Sequence, residues 1–313
     1  MRSWVPHADA SVFPLRHLPL GVRRRPDGSH AAVAPIGHSV ADLRVLAEIG
    51  LFDDCGPARG DFAEPTLNAL LRDGPHALAK VRARLRQCLG ATPTYYDLRD
   101  RREIFLLPRA RARLTPPLRV GDLAWVGPHR PAPARASSLL PDGAEVPRPP
   151  SSPADGALTA TAVLAFVIAG GTRFGRRLDA SAAETRCFGV SAGLCFRASG
   201  TPPDAAPYAT VLANYVTPLD AFGTPELTLS HTPYRRPGAR VAGGRPGGVL
   251  AQAARAIAEL TRGGARLCAG DVFAVELPAL SRSGLVDGDT VRLSPTGDTG
   301  PAEVHATVVA PLP

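Results

Sequence analysis

The chain has 313 residues, 44% of them hydrophobic and 20% charged, which is ordinary for a globular protein and enough for one large domain or two modest ones. It lacks an apolar run of about 18 residues, so we predict no membrane span, and its N-terminus lacks the apolar region of a signal peptide. Because the five cysteines are widely spaced and form no CxxC pair, we predict neither a zinc site nor a disulfide framework, and a cytoplasmic location.

The formal net charge is +8, and every basic residue except Lys80 is an arginine. Three arginine-rich runs, "RRRPDG", "RARLRQ" and "PRARARL", lie apart in the chain and carry no interleaved aromatic residues. A nucleic-acid footprint is one interpretation of such runs. Their spacing favours a solvated basic surface instead, and we predict no nucleic-acid partner.

Residues 1–114 are predicted to form the first unit of the chain. A strand, a turn and a helix that begins near Ser39 are expected within "HAAVAPIGHSVADLRVLAEIG". Leucines recur at helical spacing between 65 and 90, which predicts two amphipathic helices separated at "DGP". A short strand is expected at 104–108.

Residues 115–313 are predicted to form the second unit, which begins with a Pro- and Ser-rich loop at 127–156. The predicted elements after it are strands at 158–168, 186–196, 210–217 and 226–231, a helix at 247–264, and a β-rich tail with tight "AGD" and "DGD" turns. The segment "LTATAVLAFV" (158–167) is uncharged on both faces, which is typical of a fully buried strand.

Several stretches of the sequence resemble the fumarylacetoacetase family. The opening "SWVPHADASVFPLRHLPLGVRR" and the helical "FAEPTLNALLRDGPHALAKVRARLRQCL" are similar to the family's N-terminal motifs. Further on, "RASSLLPDGAEVPRP", "FGVSAGLCFRAS", "YVTPLDAF", "LCAGDVFAVELP" and "LVDGDTVRL" follow in the family's order. The resemblance is collinear and covers essentially the whole chain.

The resemblance implies a β-rich α+β fold. A small N-terminal SH3-like barrel domain with helices would span 1–114, and a larger mixed β-roll domain, through which the family forms homodimers, would span 115–313. The family's chemistry is hydrolytic cleavage of a carbon–carbon bond in a β-diketo acid, with a divalent metal held by four carboxylates and a His–Glu pair that activates water. A carbon leaving group needs an electron sink, and a metal enolate provides one.

The positions that match those four carboxylates carry other residues in this chain. Thr161 and Val163 align with the two family glutamates. Trp125 aligns with the family's metal-binding aspartate, and Cys195 with its fourth carboxylate. Hard divalent cations need several oxygen ligands, so we predict no metal and no other cofactor. A rebuilt metal site that recruits Asp122, Asp179 or Glu184 stays open as an alternative.

Other catalytic positions of the family are also changed. The family's lysine has no counterpart, a threonine is retained as Thr210, and Glu276 replaces the glycine of a substrate-contacting "SGT" segment. The loop between Trp125 and Arg135 is shortened. His129 therefore stands either for the family histidine or for one just before "GRASS".

Three residues are candidates for catalysis: His129 and Arg130, as general base and anion clamp, and Cys195 as a nucleophile. The alternatives are an exposed loop histidine and a small buried thiol. The predicted substrate-binding residues are Trp125, Thr161, Val163, Phe196, Arg197, Tyr208, Thr210, Tyr215 and Glu276. For the aromatic residues the alternative is ordinary core packing, and for Arg197 it is a strand-end surface charge.

These observations favour a metal-independent enzyme that acts on a polyketide-like or β-dicarbonyl small molecule. Isomerisation, dehydration or cyclisation in specialised metabolism (natural-product biosynthesis) are the reactions expected of it, since positioning alone contributes several kcal/mol to such steps. A non-catalytic scaffold subunit and a carbon–carbon bond hydrolase with a rebuilt site are the alternatives. A small-molecule substrate and a second copy of the chain are the predicted partners.

Overall fold

The computed structural model describes residues 2–92, 94–126, 131–149, 158–198, 200–202, 205–223, 225–234, 239–296 and 301–311. Its strands are β1 (Leu20–Arg24), β2 (His30–Ile36), β3 (Ser39–Asp42), β4 (Leu106–Pro108), β5 (Arg113–Thr115), β6 (Leu123–Val126), β7 (Pro131–Ala134), β8 (Leu139–Pro141), β9 (Glu145–Pro147), β10 (Leu158–Ile168), β11 (Cys187–Ala198), β12 (Ala209–Leu212), β13 (Tyr215–Pro218), β14 (Glu226–Thr232), β15 (Ala239–Gly244), β16 (Val272–Leu285), β17 (Thr290–Thr296) and β18 (Val304–Val309). Its helices are α1 (Leu43–Glu48), α2 (Asn68–Arg72), α3 (Gly74–Leu89), α4 (Tyr96–Asp100), α5 (Ala180–Glu184) and α6 (Val249–Arg262). Among the described residues, none of these helices has both the length and the apolar character needed to cross a bilayer.

The strands form two sheets in the described part of the chain. The larger sheet has the order β4-β3-β2-β1-β13-β11-β10-β16-β6-β7, with β5 beside β1, β12 beside β11 and β8 beside β12. The smaller sheet has the order β15-β14-β17-β18-β9. A strand-rich α+β fold is therefore confirmed.

The N-terminal strands belong to the larger sheet, because β1 pairs antiparallel with β13 as well as with β2 and β5. No separate SH3-like barrel is established by this pairing. That barrel, the roll architecture and the division of the chain after residue 114 stay predictions.

The long strands β10, β11 and β16 form the centre of the larger sheet. Strand β10 pairs antiparallel with β11 on one side and with β16 on the other. One face of these strands packs against α6 and the smaller sheet, in a first core that contains Leu164, Phe166 and Ile257. The opposite face packs against the N-terminal helices, in a second core that contains Val163 and Leu85. Burial on both faces explains why "LTATAVLAFV" carries no charge.

Local sequence signals set the ends of several helices. Asp42 caps α1, since its carboxylate accepts a hydrogen bond from the backbone N–H of Val45 at 3.2 Å. Helix α6 ends at Gly263 and Gly264, and the second of these has the left-handed backbone (φ 92°) that glycine adopts without strain.

Two predicted elements differ from the structure. The helix expected to begin near Ser39 begins at Leu43, because residues 39–42 pair with β2 and β4 as a strand. The stretch at 127–156, which is predicted to be mostly loop, contains the short strands β7, β8 and β9 within its described residues. The last two pair in parallel with β12 and β18, contacts that no local pattern reveals.

Candidate functional site

The residues that align with the family's metal ligands meet on one face of the central strands. Thr161 lies directly opposite Cys195 across the β10–β11 ladder, and Val163 lies opposite Glu276 across the β10–β16 ladder. Side chains that oppose each other in a ladder point to the same face of the sheet. This face is the one that packs against the N-terminal region.

A partly buried ion pair lies at the centre of this face. Arg197 Nη1 donates to Glu276 Oε2 at 2.9 Å, and Arg197 Nη2 donates to Glu276 Oε1. The two side chains are 10% and 13% exposed, respectively. Arg197 is held in place by a second anchor, because its Nε and Nη2 both donate to the Ala205 carbonyl at 3.2 Å.

Trp125, on the strand beside β16, contacts both Glu276 and Arg197. Strand β6 pairs in parallel with β16 and places Trp125 opposite Ala274, two residues before Glu276. The indole Nε1 donates to Glu276 Oε1, while the Arg197 guanidinium carbon lies 5.6 Å from the centre of the indole ring. The carboxylate thus receives hydrogen bonds from both a guanidinium and an indole, and the cation contacts an aromatic face.

Cys195 is fully buried beside this pair, and its Sγ lies 3.5 Å from Arg197 Nη1. Burial, with a contribution from the negative charge of Glu276, raises the pKa of this thiol to about 12. Since the thiolate is the nucleophilic form, a neutral thiol at ordinary pH favours a role as part of the wall over a role as nucleophile. We call Trp125, Cys195, Arg197 and Glu276 the site cluster.

Arg197 stays charged in the site cluster. Burial works against its positive charge, but the hydrogen bond and the charge of Glu276 raise its pKa above the ordinary value. A fixed cation therefore lies on the same face of the sheet as Thr161 and Cys195.

Thr210 lies opposite Cys195 on β12 and is 1% exposed. Its hydroxyl is buried and has no hydrogen-bond partner among the described residues. A buried hydroxyl left without a partner is unfavourable.

The structure does not bring all predicted site residues to this cluster. Phe196 is fully buried on the opposite face of β11, in the first core. Tyr208 is 45% exposed, and Tyr215 belongs to the first core, beside Phe13. His129 and Arg130 lie outside the described residues.

The site cluster, together with Thr161 and Val163 beside it, does not fit a divalent metal ion. Trp125, Val163 and Cys195 offer no oxygen ligand, and Thr161 offers only a hydroxyl. The two oxygens of Glu276 are already bonded to Arg197, and one of them also to the indole. Across the described residues, no three His, Cys, Asp or Glu side chains are grouped to hold a metal ion.

Of the three residues considered for a rebuilt metal site, Glu184 is exposed on α5, and Asp179 and Asp122 make contacts of another kind. Asp179 caps α5 by accepting from the Ala182 backbone N–H at 2.7 Å, and the backbone N–H of Asp122 donates to Asp271 at 3.2 Å. Neither contact gathers a set of oxygen ligands.

Sequence reasoning named Arg197 and Glu276 separately but missed that they form a pair. They are 79 residues apart, and a register shift in the β10–β16 ladder lies next to their contact. One signal was present: Glu276 is a lone acidic residue within the apolar run "VFAVELPAL", and a charge in a buried strand needs a partner.

Comparison with known proteins gives sequence matches to one family. A family model described as "Fumarylacetoacetase N-terminal" matches residues 16–117. The fumarylacetoacetase of rice (Oryza sativa subsp. japonica) is 29% identical over 240 residues, which cover 61% of this chain and 54% of the rice protein. This chain thus spans about half the length of that curated relative.

Two solved structures share the fold over nearly the whole chain. The maleylpyruvate hydrolase of Sphingobium sp. SYK-6 has a TM-score of 0.63 at 17% identity, covering 94% of this chain and 100% of the hydrolase. The 2-hydroxyhepta-2,4-diene-1,7-dioate isomerase of Mycobacterium marinum has a TM-score of 0.56 at 16% identity, covering 94% and 98%. These sequence matches and this shared fold support a divergent relative of the fumarylacetoacetases, with the match to the family model confined to residues 16–117.

Proposed function

We propose that this protein is a metal-independent enzyme that moves a proton on a small β-dicarbonyl or polyketide-like molecule, by way of an enolate. The observation that carries the proposal is the Arg197–Glu276 pair, which joins a fixed cation and a carboxylate at 2.9 Å. The pair lies on the face of the sheet that carries Thr161, Val163 and Cys195, the positions at which the resemblance predicted the family's metal ligands. A cation stabilises an enolate oxygen and a carboxylate accepts a proton, so the pair supplies both parts of an enolisation.

The chemistry follows from the contacts of the pair. A substrate oxygen that takes one N–H of Arg197 frees one oxygen of Glu276. The freed oxygen removes a proton from the carbon between two carbonyls, and the C–H electron pair moves to a carbonyl oxygen that Arg197 stabilises. Return of the proton to that oxygen or to another carbon completes an isomerisation without a metal, a water or a leaving group.

Two neighbouring groups support this assignment. The unpartnered hydroxyl of Thr210 supplies a further donor for a substrate oxygen. The indole N–H of Trp125 holds Glu276 in place. Among the structural relatives, one is named as an isomerase and another as a hydrolase, so the fold hosts proton-transfer chemistry as well as bond cleavage.

The test uses 2,4-dioxopentanoate, a small β-dicarbonyl acid, with a chelator present. Deuterium incorporation at the carbon between the carbonyls, measured by NMR at mildly acidic pH, is expected to exceed the buffer rate. Glu276→Gln is expected to lower the excess rate about a hundredfold. Arg197→Lys keeps the positive charge but loses the bidentate hydrogen bonding to Glu276. We expect it to lower the excess exchange rate by an intermediate factor.

Glu184→Gln is the matched control, because Glu184 is an exposed carboxylate on α5. Circular dichroism establishes that each variant is folded. No excess rate in the wild-type protein, or an equal rate in folded Glu276→Gln, would rule out the proposal. Release of acetate and pyruvate would instead reveal a carbon–carbon bond hydrolase.

A second candidate is a non-catalytic subunit, and the burial of the cluster favours it. Trp125 is 1% exposed and Cys195 is fully buried, so the site cluster fills space that a substrate would need. Under this alternative the ion pair only stabilises the fold. Glu276→Gln would then change stability alone, and no β-dicarbonyl would exchange faster than in buffer.

The predicted homodimer is part of the proposal. The strands through which the resemblance implies dimerisation, between residues 158 and 310, are present in the structure. Pairing of two chains would cover sheet edges that would otherwise promote aggregation. A sedimentation mass twice that of the 32.7 kDa chain at micromolar concentration is expected. A mass of one chain would contradict it.

A further inference from the structure

A cavity of about 390 Å³ lies apart from the site cluster and shares no lining residue with it. It is lined by Val12, Phe13, Arg109, Leu114, Asp142, Asn214, Tyr215, Ser294, Pro295, Pro301, Ala302, Glu303 and His305. These residues come from the N-terminal loop, the β4–β5 segment, the turn between β8 and β9, the start of β13, and the smaller sheet with the residues just before β18. The cavity therefore lies where the two sheets meet.

One wall of the cavity carries a cation without a matching anion. Arg109 is partly buried, and its guanidinium carbon lies 4.9 Å from the centre of the Phe13 ring. Among the described residues, no carboxylate forms an ion pair with Arg109. A guanidinium over an aromatic face keeps its N–H groups free to bind an anion.

Tyr215 presents a second unused group. It is 5% exposed, and its hydroxyl is buried without a hydrogen-bond partner among the described residues. Burial raises the pKa of this phenol, and the nearby charge of Arg109 only partly opposes the rise. The group is therefore a neutral O–H donor that lies close to a cation.

The opposite wall is acidic, but its charges are already partnered. Asp142 pairs with His305 at 2.9 Å, and Glu303 pairs with Arg292 at 3.2 Å. The side-chain oxygen of Asn214 is buried and has no partner in the described part of the chain. The cavity thus offers one unmatched cation, one unused donor and one unused acceptor between apolar walls.

We propose that this cavity binds a small carboxylic acid that carries an apolar ring and a hydrogen-bond donor. The carboxylate would accept from Arg109 and Tyr215, since the planar guanidinium matches carboxylate geometry. The ring would pack against Phe13, Leu114 and Pro295, and the donor would reach the oxygen of Asn214. The site is independent of the enolisation proposed above.

The experiment titrates the full chain with 4-hydroxybenzoate by calorimetry and by ligand-observed NMR. Saturable binding of one molecule per chain is expected. Two comparison ligands separate the contributions: 4-hydroxybenzamide lacks the charge, and benzoate lacks the donor. The amide is expected to bind at least about tenfold more weakly, because a charged hydrogen bond is replaced by a neutral one.

Three variants locate the binding. Arg109→Gln is expected to weaken binding of 4-hydroxybenzoate about tenfold or more, and Tyr215→Phe, which removes only the hydroxyl, about threefold. Arg111→Gln is the matched control, since Arg111 lies two residues away, is exposed and does not line the cavity. The control and Arg197→Lys are both expected to leave the affinity unchanged.

Several outcomes would overturn the proposal. These are the absence of saturable binding at millimolar ligand, equal affinities for the acid and its amide, and an affinity that Arg197→Lys lowers more than Arg109→Gln does. If Arg109→Gln is unfolded by circular dichroism, the comparison of acid with amide on the wild-type chain still decides whether the cation is used.

Discussion

Two of the buried arginines, Arg82 and Arg197, pair with carboxylates in different environments. Arg82 on α3 is 2% exposed and pairs with Asp220, whose side chain is 55% exposed. Arg197 is 10% exposed and pairs with Glu276, which is 13% exposed. In the first pair only the cation is buried, whereas in the second both side chains are largely withdrawn from water.

The surroundings of the two arginines indicate different roles. Arg82 also donates to the carbonyl of His17 at 3.0 Å. Its side chain therefore connects α3 to the N-terminal loop and to Asp220. Burial lowers the pKa of Arg82 to about 10, although the charge of Asp220 opposes this. A pair with one solvated partner is typical of an ion pair that only stabilises the fold. A pair with both partners largely withdrawn from water, in contact with an indole and a thiol, is the arrangement on which the proposed enolisation rests.

The largest effect is expected from removal of the buried carboxylate. Glu276→Gln leaves Arg197 as an uncompensated buried charge, and the free energy of unfolding should fall by about 3 kcal/mol. Asp220→Asn should lower it by only about 1 kcal/mol, because Arg82 keeps its hydrogen bond to the His17 carbonyl and water can reach the exposed position of the lost carboxylate. Urea denaturation followed by fluorescence measures both values.

Equal losses in the two variants would contradict the comparison. A larger loss for Asp220→Asn would mean that the Arg82–Asp220 pair contributes more to stability than the Arg197–Glu276 pair does.

The second effect comes from overfilling the site cluster. Packing on this face is close, since a Cβ placed on Gly193 would lie 2.7 Å from Val163 Cγ2. Cys195→Phe should therefore destabilise the fold by about 2 to 3 kcal/mol and abolish any turnover, whereas Cys195→Ala should lose about 1 kcal/mol. Cys268→Phe is the control, because Cys268 is exposed.

Activity separates the two roles of the thiol. Full activity in a folded Cys195→Phe variant would place the reaction elsewhere in the molecule. Loss of activity in folded Cys195→Ala would make the thiol a catalyst and not part of the wall.

Much of the fold could be predicted from local patterns. The uncharged run at 158–167 is β10, and the leucine spacing gives α3, because burial on one or two faces fixes which residues must be apolar. The start of α1 was misplaced since residues 39–42 become a strand only through pairing with β2 and β4. Tertiary pairing of this kind leaves no local signal.

The candidate site was predictable in part. The resemblance placed Trp125, Thr161, Val163 and Cys195 near one point, and the ladder registers bring them to one face. Phe196 was grouped with Cys195, although side chains of adjacent strand residues point to opposite faces. Period-two alternation alone would have separated them. The cavity beside Tyr215 could not be predicted from the sequence, because its walls come from segments up to 293 residues apart.

The third effect depends on pH. An unfolded Cys195 thiol ionises near its ordinary value of 9.0, while the folded one keeps its proton to about 12. Between these values the folded state binds more protons, so its stability falls as the pH rises, by at most about 1.4 kcal/mol per pH unit for this thiol. Cys195→Ala should flatten the slope between pH 9 and 11, and Cys268→Ala should not. An unchanged slope in Cys195→Ala would mean that this thiol does not contribute to alkaline unfolding.

The smallest effect distinguishes the two tryptophans. Trp125 Nε1 donates to the Glu276 carboxylate, whereas Trp4 Nε1 donates to the neutral carbonyl of Cys88 at 2.9 Å. A hydrogen bond to a charged group is the stronger, so Trp125→Phe should destabilise the chain by about 1 kcal/mol more than Trp4→Phe.

Activity again decides what the stronger bond is for. If the indole positions a catalytic Glu276, Trp125→Phe should lower kcat for deuterium exchange with little change in KM, and Trp4→Phe should change neither. A loss of stability in Trp125→Phe without any change in exchange would assign the indole, and the ion pair it supports, to the fold alone.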